Sequence, residues 1–205
     1  MSILHITKEH TGKMEGMQSL STCCQSNPNC EKFSKVEGSV CQKCYAMRMC
    51  KMYKNLAPCL EKNAKVLSEV ILDKSELPQI NASFFRFEAF GDLINETQVK
   101  NYFNICNLNE DTHFALWTKN PKLIQNVIDE GINKPSNLKI IVSSLFLNKV
   151  AEYDHMDFID KVFTVFTKDY IDEHDIQINC GKKKCIDCML CYKDNAVRYI
   201  NEQVK

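Results

Sequence analysis

The chain has 205 residues, 26 Lys and Arg against 26 Asp and Glu, and 44% hydrophobic residues. This suits one domain around a single core, and the balanced charge directs no net field at nucleic acid or an anionic membrane. No run approaches the ~20 apolar residues of a membrane span, and Met1-Ser-Ile-Leu-His-Ile-Thr7 lacks the basic and apolar regions of a signal peptide. A cytoplasmic location is expected. In that reducing compartment the twelve cysteines point to metal ligation ahead of disulfides.

In chain order, residues 1–22 form an N-terminal strand region, with β-like pieces at Ile3–Thr7 and Met17–Ser21. Residues 23–80 are a Cys-rich loop followed by helices. Asn27-Pro28-Asn29 and Glu37-Gly38-Ser39 are turn signals, so 23–40 reads as irregular. Helical spacing starts at Gln42, and a second helix follows Pro58 to about Leu72. From 81 to 179 strands alternate with helices. The strands are Ser83–Phe90, Thr112–Thr118, Leu138–Ser144, Lys161–Thr167 and Asp175–Asn179; helices are expected near Glu96–Cys106 and Pro121–Glu130. Strands recurring every ~25 residues accommodate one βα unit each and favour a parallel sheet. The expected fold is α/β: an incomplete parallel barrel of the (βα)6 type, as a single domain closed by a cysteine motif over 180–205.

That motif is Cys180-x4-Cys185-x2-Cys188-x2-Cys191. Closely spaced cysteines on one loop are how iron–sulfur clusters are gripped. Structural zinc more often takes two separated C-x2-C knuckles, and bridges between such near neighbours would be strained. A second group surrounds Cys41-x2-Cys44 at the start of a helix, where the dipole and free N–H groups favour thiolate. Cys30 and one of Cys23 or Cys24 are further candidate ligands. Cys50, Cys59 and Cys106 sit among apolar residues and read as core cysteines. Because functional groups of parallel barrels gather where strands end, both cysteine groups are expected at one mouth.

Along Phe84-Phe-Arg86-Phe-Glu88-Ala-Phe90-Gly91-Asp92, alternation puts Arg86 and Glu88 on one face. They either pair with each other or serve a ligand. Gly91 would let the backbone approach that ligand, and Asp92 would accept a cationic group. Trp117-Thr118-Lys119, Ser143-Ser144 and Thr167-Lys168 end successive strands, a repetition that suits a small-ligand site. Arg86, Glu88, Asp92 and Lys119 are the catalytic candidates; Gly91, Asp92, Thr118 and Ser143 are those for cofactor binding. Phosphate-loop and dinucleotide glycine motifs are missing, as are His-x3-His and Glu-x2-His pairs.

Taken together, Cys41-x2-Cys44-Tyr45-Ala46-x-Arg48, Arg86-x4-Gly91-Asp92, Trp117-Thr118-Lys119 and Cys180…Cys185-x2-Cys188-x2-Cys191-Tyr192 resemble the phage-encoded gene product 88 proteins, over roughly residues 10–200. That family is similar in turn to radical S-adenosylmethionine (SAM) proteins. The resemblance implies a partial barrel in a host cytoplasm, with Cys30, Cys41 and Cys44 on three irons of a [4Fe–4S] cluster. Gly91 and Asp92 would then hold a substrate amino group. This chain has Cys30-x10-Cys41-x2-Cys44 in place of a compact C-x3-C-x2-C; Cys24 or a C-terminal cysteine would complete the ligand set. Two functions follow. One is an enzyme that binds a small ligand or SAM and performs redox or radical chemistry. The other is a non-catalytic protein whose one or two clusters transfer electrons to a redox partner, sense redox state or hold the fold.

Overall fold

The computed structural model describes residues 3–204. Six strands form one all-parallel sheet in chain order: β1 Gln18–Leu20, β2 Phe84–Phe87, β3 His113–Thr118, β4 Leu138–Ser143, β5 Lys161–Phe166 and β6 Tyr199–Gln203. Strands that always pair with the next in sequence, linked by right-handed crossovers, curl in one direction towards a barrel. Here β1 and β6 do not meet, so the barrel is incomplete. Short extended pieces cover both open edges: Thr7 exchanges two backbone hydrogen bonds with Ser19, and Cys180 bridges to Glu202. Such cover protects unpaired strand edges.

The helices are α1 Pro28–Ser34, α2 Tyr45–Met52, α3 Leu56–Glu69, α4 Glu96–Leu108, α5 Pro121–Asp129, α6 Lys168–His174 and the short α7 Cys185–Cys188. Period-two alternation sorts the strand side chains onto two faces. Leu20, Phe85, Phe87, Phe114, Leu116, Ile140 and Val142 pack against Val99, Tyr102, Phe103, Ile124 and Val127 of the helices and form the main core. Phe87 stacks between Tyr102 and Phe114, with centroids 4.1 and 5.1 Å away. Met17, Phe84, Ala115, Trp117, Ile141 and Phe163 line the opposite, concave face, and the segment carrying Met189 and Tyr192 packs onto it.

Three local expectations are corrected. The last strand is Tyr199–Gln203, beyond the cysteine motif, not Asp175–Asn179. Residue Asp175 takes a left-handed conformation that ends α6, and the stretch after it only edges β6. Ile3–Thr7 contributes one bridge at Thr7 and no strand. Within the expected irregular stretch 23–40, Asn27 caps α1 through its side-chain oxygen while Pro28 occupies the first helical turn, the placement each residue favours.

Candidate functional site: two cysteine groups on one half-barrel

The first group forms where β1 ends. Cys23 and Cys24 leave the sheet directly into it, α1 brings Cys30, and a 3-10 turn over Val40–Lys43 brings Cys41. Cys44 is the N-cap of α2, with its sulfur near the backbone N–H groups of Ala46 and Met47 at the start of the helix. The neighbouring Cys24 thiol, the N–H groups at the start of α2 and the nearby Lys119 charge draw the Cys44 pKa down against the effect of burial. Cys24 moves the opposite way, through Cys44 beside it and its own burial. Burial and the charges of Asp92 and Glu88 push Cys30 up. Cys50, one turn along α2, packs with Cys23 and Cys24 and so belongs to this group as well as to the core.

Behind these sulfurs lies a buried carboxylate layer. Asp92 is 5% exposed. Its Oδ1 accepts from the Thr118 hydroxyl (2.6 Å) and the Leu93 N–H (2.7 Å), and its Oδ2 accepts from the Lys119 N–H (2.9 Å). Asp92 thus spends its carboxylate on clamping the ends of β2 and β3 together, not on an open rim. Gly91, at φ +77°, approaches the chain itself: a Cβ there would lie 2.4 Å from the Thr22 carbonyl oxygen.

Glu88 does not share a face with Arg86. Its φ of +55° turns it out of the strand alternation towards α4, where it accepts from Tyr102 Oη (2.5 Å) and Gln98 Nε2 (2.6 Å); Thr22 contributes its N–H and hydroxyl. Burial lifts its pKa to about 8, against those hydrogen bonds and with repulsion from Asp92 adding to the rise. Among the described residues no ion pair joins Arg86 to Glu88. Ser143 ends β4 beside Phe163 of β5.

The second cysteine group lies elsewhere. Because β6 follows the motif, Cys180–Cys191 is not at the strand-end mouth but packs over the concave face. Gly16 meets Ile186 there, and Lys184 pairs with Glu15 at 2.7 Å. Cys180, Cys185, Cys188 and Cys191 line one cavity with Lys13, Arg86 and Lys183, and no acidic side chain lines it. Lys13 Nζ donates to Cys180 Sγ (3.0 Å) and Glu202 (2.9 Å). Burial raises the Cys185 and Cys191 pKa values, the latter to about 12, while the Arg86 charge opposes it. The two groups belong to separate apolar clusters. Arg86 lines the cavity of the second, and its charge also acts on Tyr45 beside the first.

The expectation of a single shared mouth is therefore corrected. Lys13, Thr22, Gln98, Tyr102 and Cys50 are site residues that sequence reasoning missed. Lys13 finds its sulfur partner 167 positions away, and no local pattern marks it. All twelve cysteines are free thiols. Among the described residues, no three or more His, Cys, Asp or Glu side chains are arranged to hold a metal ion, and no helix is long and apolar enough to cross a membrane.

A model of the gene product 88 family matches residues 5–201. The chain belongs to the gene product 88 family. The matched span includes both cysteine groups, the carboxylate layer and β1 to β5 entire, so the site described here falls within the gene product 88 region. Among curated proteins and among solved structures, none is significantly similar to the chain.

Proposed function

We propose that this gene product 88 protein is an iron–sulfur protein in which Cys180, Cys185, Cys188 and Cys191 hold a [4Fe–4S] cluster. The observation that carries the reading is the cavity in which all four thiols meet three cations, Lys13, Arg86 and Lys183, and no carboxylate. An all-sulfur donor set suits a cluster. Nearby cations favour the thiolate form that ligation requires. Structural zinc more often takes two separated C-x2-C knuckles than four cysteines on one loop. When bound, such a cluster supplies one-electron chemistry. Met189 and Tyr192 seal the cavity from the sheet side, and Lys13 and Arg86 offset negative charge.

A second reading adds an enzyme. The first group, with Cys24, Cys30, Cys41 and Cys44, sits where strands end, the usual place for chemistry on parallel barrels, and its half-exposed Lys119 faces it. A second cluster there, with a small ligand or SAM beside it, would make the protein a redox or radical enzyme. Without one, electrons pass to a redox partner, or the cluster senses redox state or holds the fold. Twelve free thiols suit a reducing host cytoplasm.

The test is iron and sulfide analysis of anaerobically purified protein, with EPR of the reduced form before and after SAM is added. About four irons and four sulfides per chain are expected for one cluster and about eight for two. Stoichiometric zinc without iron overturns the reading. A spectrum that SAM leaves unchanged removes the radical enzyme alone.

A further inference from the structure

Arg86 projects from β2 onto the concave face, level with Ser19 of β1 and Ala115 of β3. Its guanidinium lies over the Trp117 ring, 4.4 Å from the centroid, a stacking that fixes the plane and leaves the donor edge free. Of five N–H donors, one reaches the weak acceptor Met14 Sδ at 3.5 Å, and Nε is buried without a partner. No described carboxylate pairs with Arg86. Leaving a buried donor unmade is costly, and a guanidinium is not relieved by losing its proton. Its acceptor must come from the cavity that it lines, and that cavity is walled by four cysteine sulfurs. Of the other cations there, Lys13 already has Glu202 at 2.9 Å and Lys183 is exposed to solvent. Arg86 is the one with a buried, unpartnered donor.

We infer that Arg86, backed by Trp117, donates N–H···S hydrogen bonds to the C-terminal cluster and raises its reduction potential. The inference rests on the cluster proposed above. Reduction adds negative charge, so a fixed neighbouring cation and hydrogen bonds to sulfur stabilise the reduced state. Arg86 is a positioning and tuning residue and not an iron ligand.

The test is an EPR-monitored redox titration of anaerobically loaded wild type, Arg86→Gln and Arg86→Lys, with iron counted in each. The signal followed is the one that Cys188→Ala removes. Arg86→Gln is expected to keep its iron and lower the reduced-to-oxidised ratio at fixed potential about tenfold or more, equivalent to ~59 mV for a one-electron couple; Arg86→Lys recovers at least half of that shift. An unmoved midpoint in Arg86→Gln with full iron overturns the inference and leaves the cluster standing. Loss of iron in both variants also overturns it, because Arg86 is then needed for assembly. If only Arg86→Gln loses iron, the inference stands when Arg86→Lys shows a lowered midpoint and falls when it does not. Wild type without iron refutes the cluster itself.

Discussion

The two cysteine groups sit in opposite electrostatic settings. Around the first, Glu88 and Asp92 are buried behind the sulfurs and act against ionisation of Cys30, with Lys119 and the start of α2 opposing them at Cys44. Around the second, the charged groups on the cavity wall are all cations. An anionic thiolate cluster is the better match for the second setting, because neighbouring cations offset its charge. The first setting is a clamp as much as a site: Gly91, Thr22, Thr118 and Asp92 lock the ends of β1, β2 and β3 together. Similar cysteine densities therefore serve different physical tasks, one welded into the strand ends and one laid over the concave face.

Metal content offers the largest contrast. With two independent clusters, Cys188→Ala and Cys41→Ala should each lose about half the iron, as measured on anaerobically loaded protein. If only the cationic cavity loads, Cys188→Ala loses nearly all of it and Cys41→Ala almost none. Near-complete loss in both variants would mean one mixed cluster and would sink the separation of the two groups. Next comes the clamp. Gly91→Ala puts a Cβ 2.4 Å from Thr22 O at φ +77°, combining backbone strain with overpacking, for a loss of about 3–5 kcal/mol in denaturant unfolding. Gly181→Ala, beside the second group, meets only the flexible Glu202 carboxylate at 3.3 Å, although its own φ is +102°; the smaller loss expected there is ~1–3 kcal/mol from backbone strain. Equal losses would contradict the difference in rigidity.

Much of the half-barrel is legible in sequence because its central strands are short apolar runs, alternating at Phe85 and Phe87 and buried on both faces at Ile140, Ile141 and Val142. β6 is not: Ile200 is its single buried residue, so hydrophobic periodicity has nothing to register. The spacing of Cys185, Cys188 and Cys191 advertises their cavity, whereas Lys13 and Trp117 enter it only through the fold. Alternation misleads at Glu88, where one positive φ redirects the side chain from the concave face to α4. Cys50 reads as core, and it is buried, yet its packing against Cys23 and Cys24 depends on where α2 starts. Residue type and spacing convey which groups ionise or ligate; backbone turns decide which of them meet.

Glu88 gives the smallest and most specific test of the carboxylate layer. Its folded pKa of about 8 lies above the ordinary carboxyl value of 4.5, so the folded state holds this proton more tightly than the unfolded chain does. Its contribution to stability is then fully present below about pH 4.5 and is lost as pH rises through about 8. In iron-free protein the Glu88 contribution should fall by about 1.4 kcal/mol per pH unit across that window. The neutral acid is well housed: its O–H can donate to Thr22 Oγ1, whose own O–H donates to the Asp92 carbonyl at 3.2 Å, while Oε1 accepts from Tyr102 and Gln98. Glu88→Gln mimics that state and does not titrate. A constant penalty is expected where its amide faces the Thr22 N–H that Glu88 Oε2 accepts, but the slope should vanish. Unfolding free energies of wild type and variant that run parallel from pH 5 to 8 would show that Glu88 is ionised in the fold, and that the layer behind the first group is a charged one.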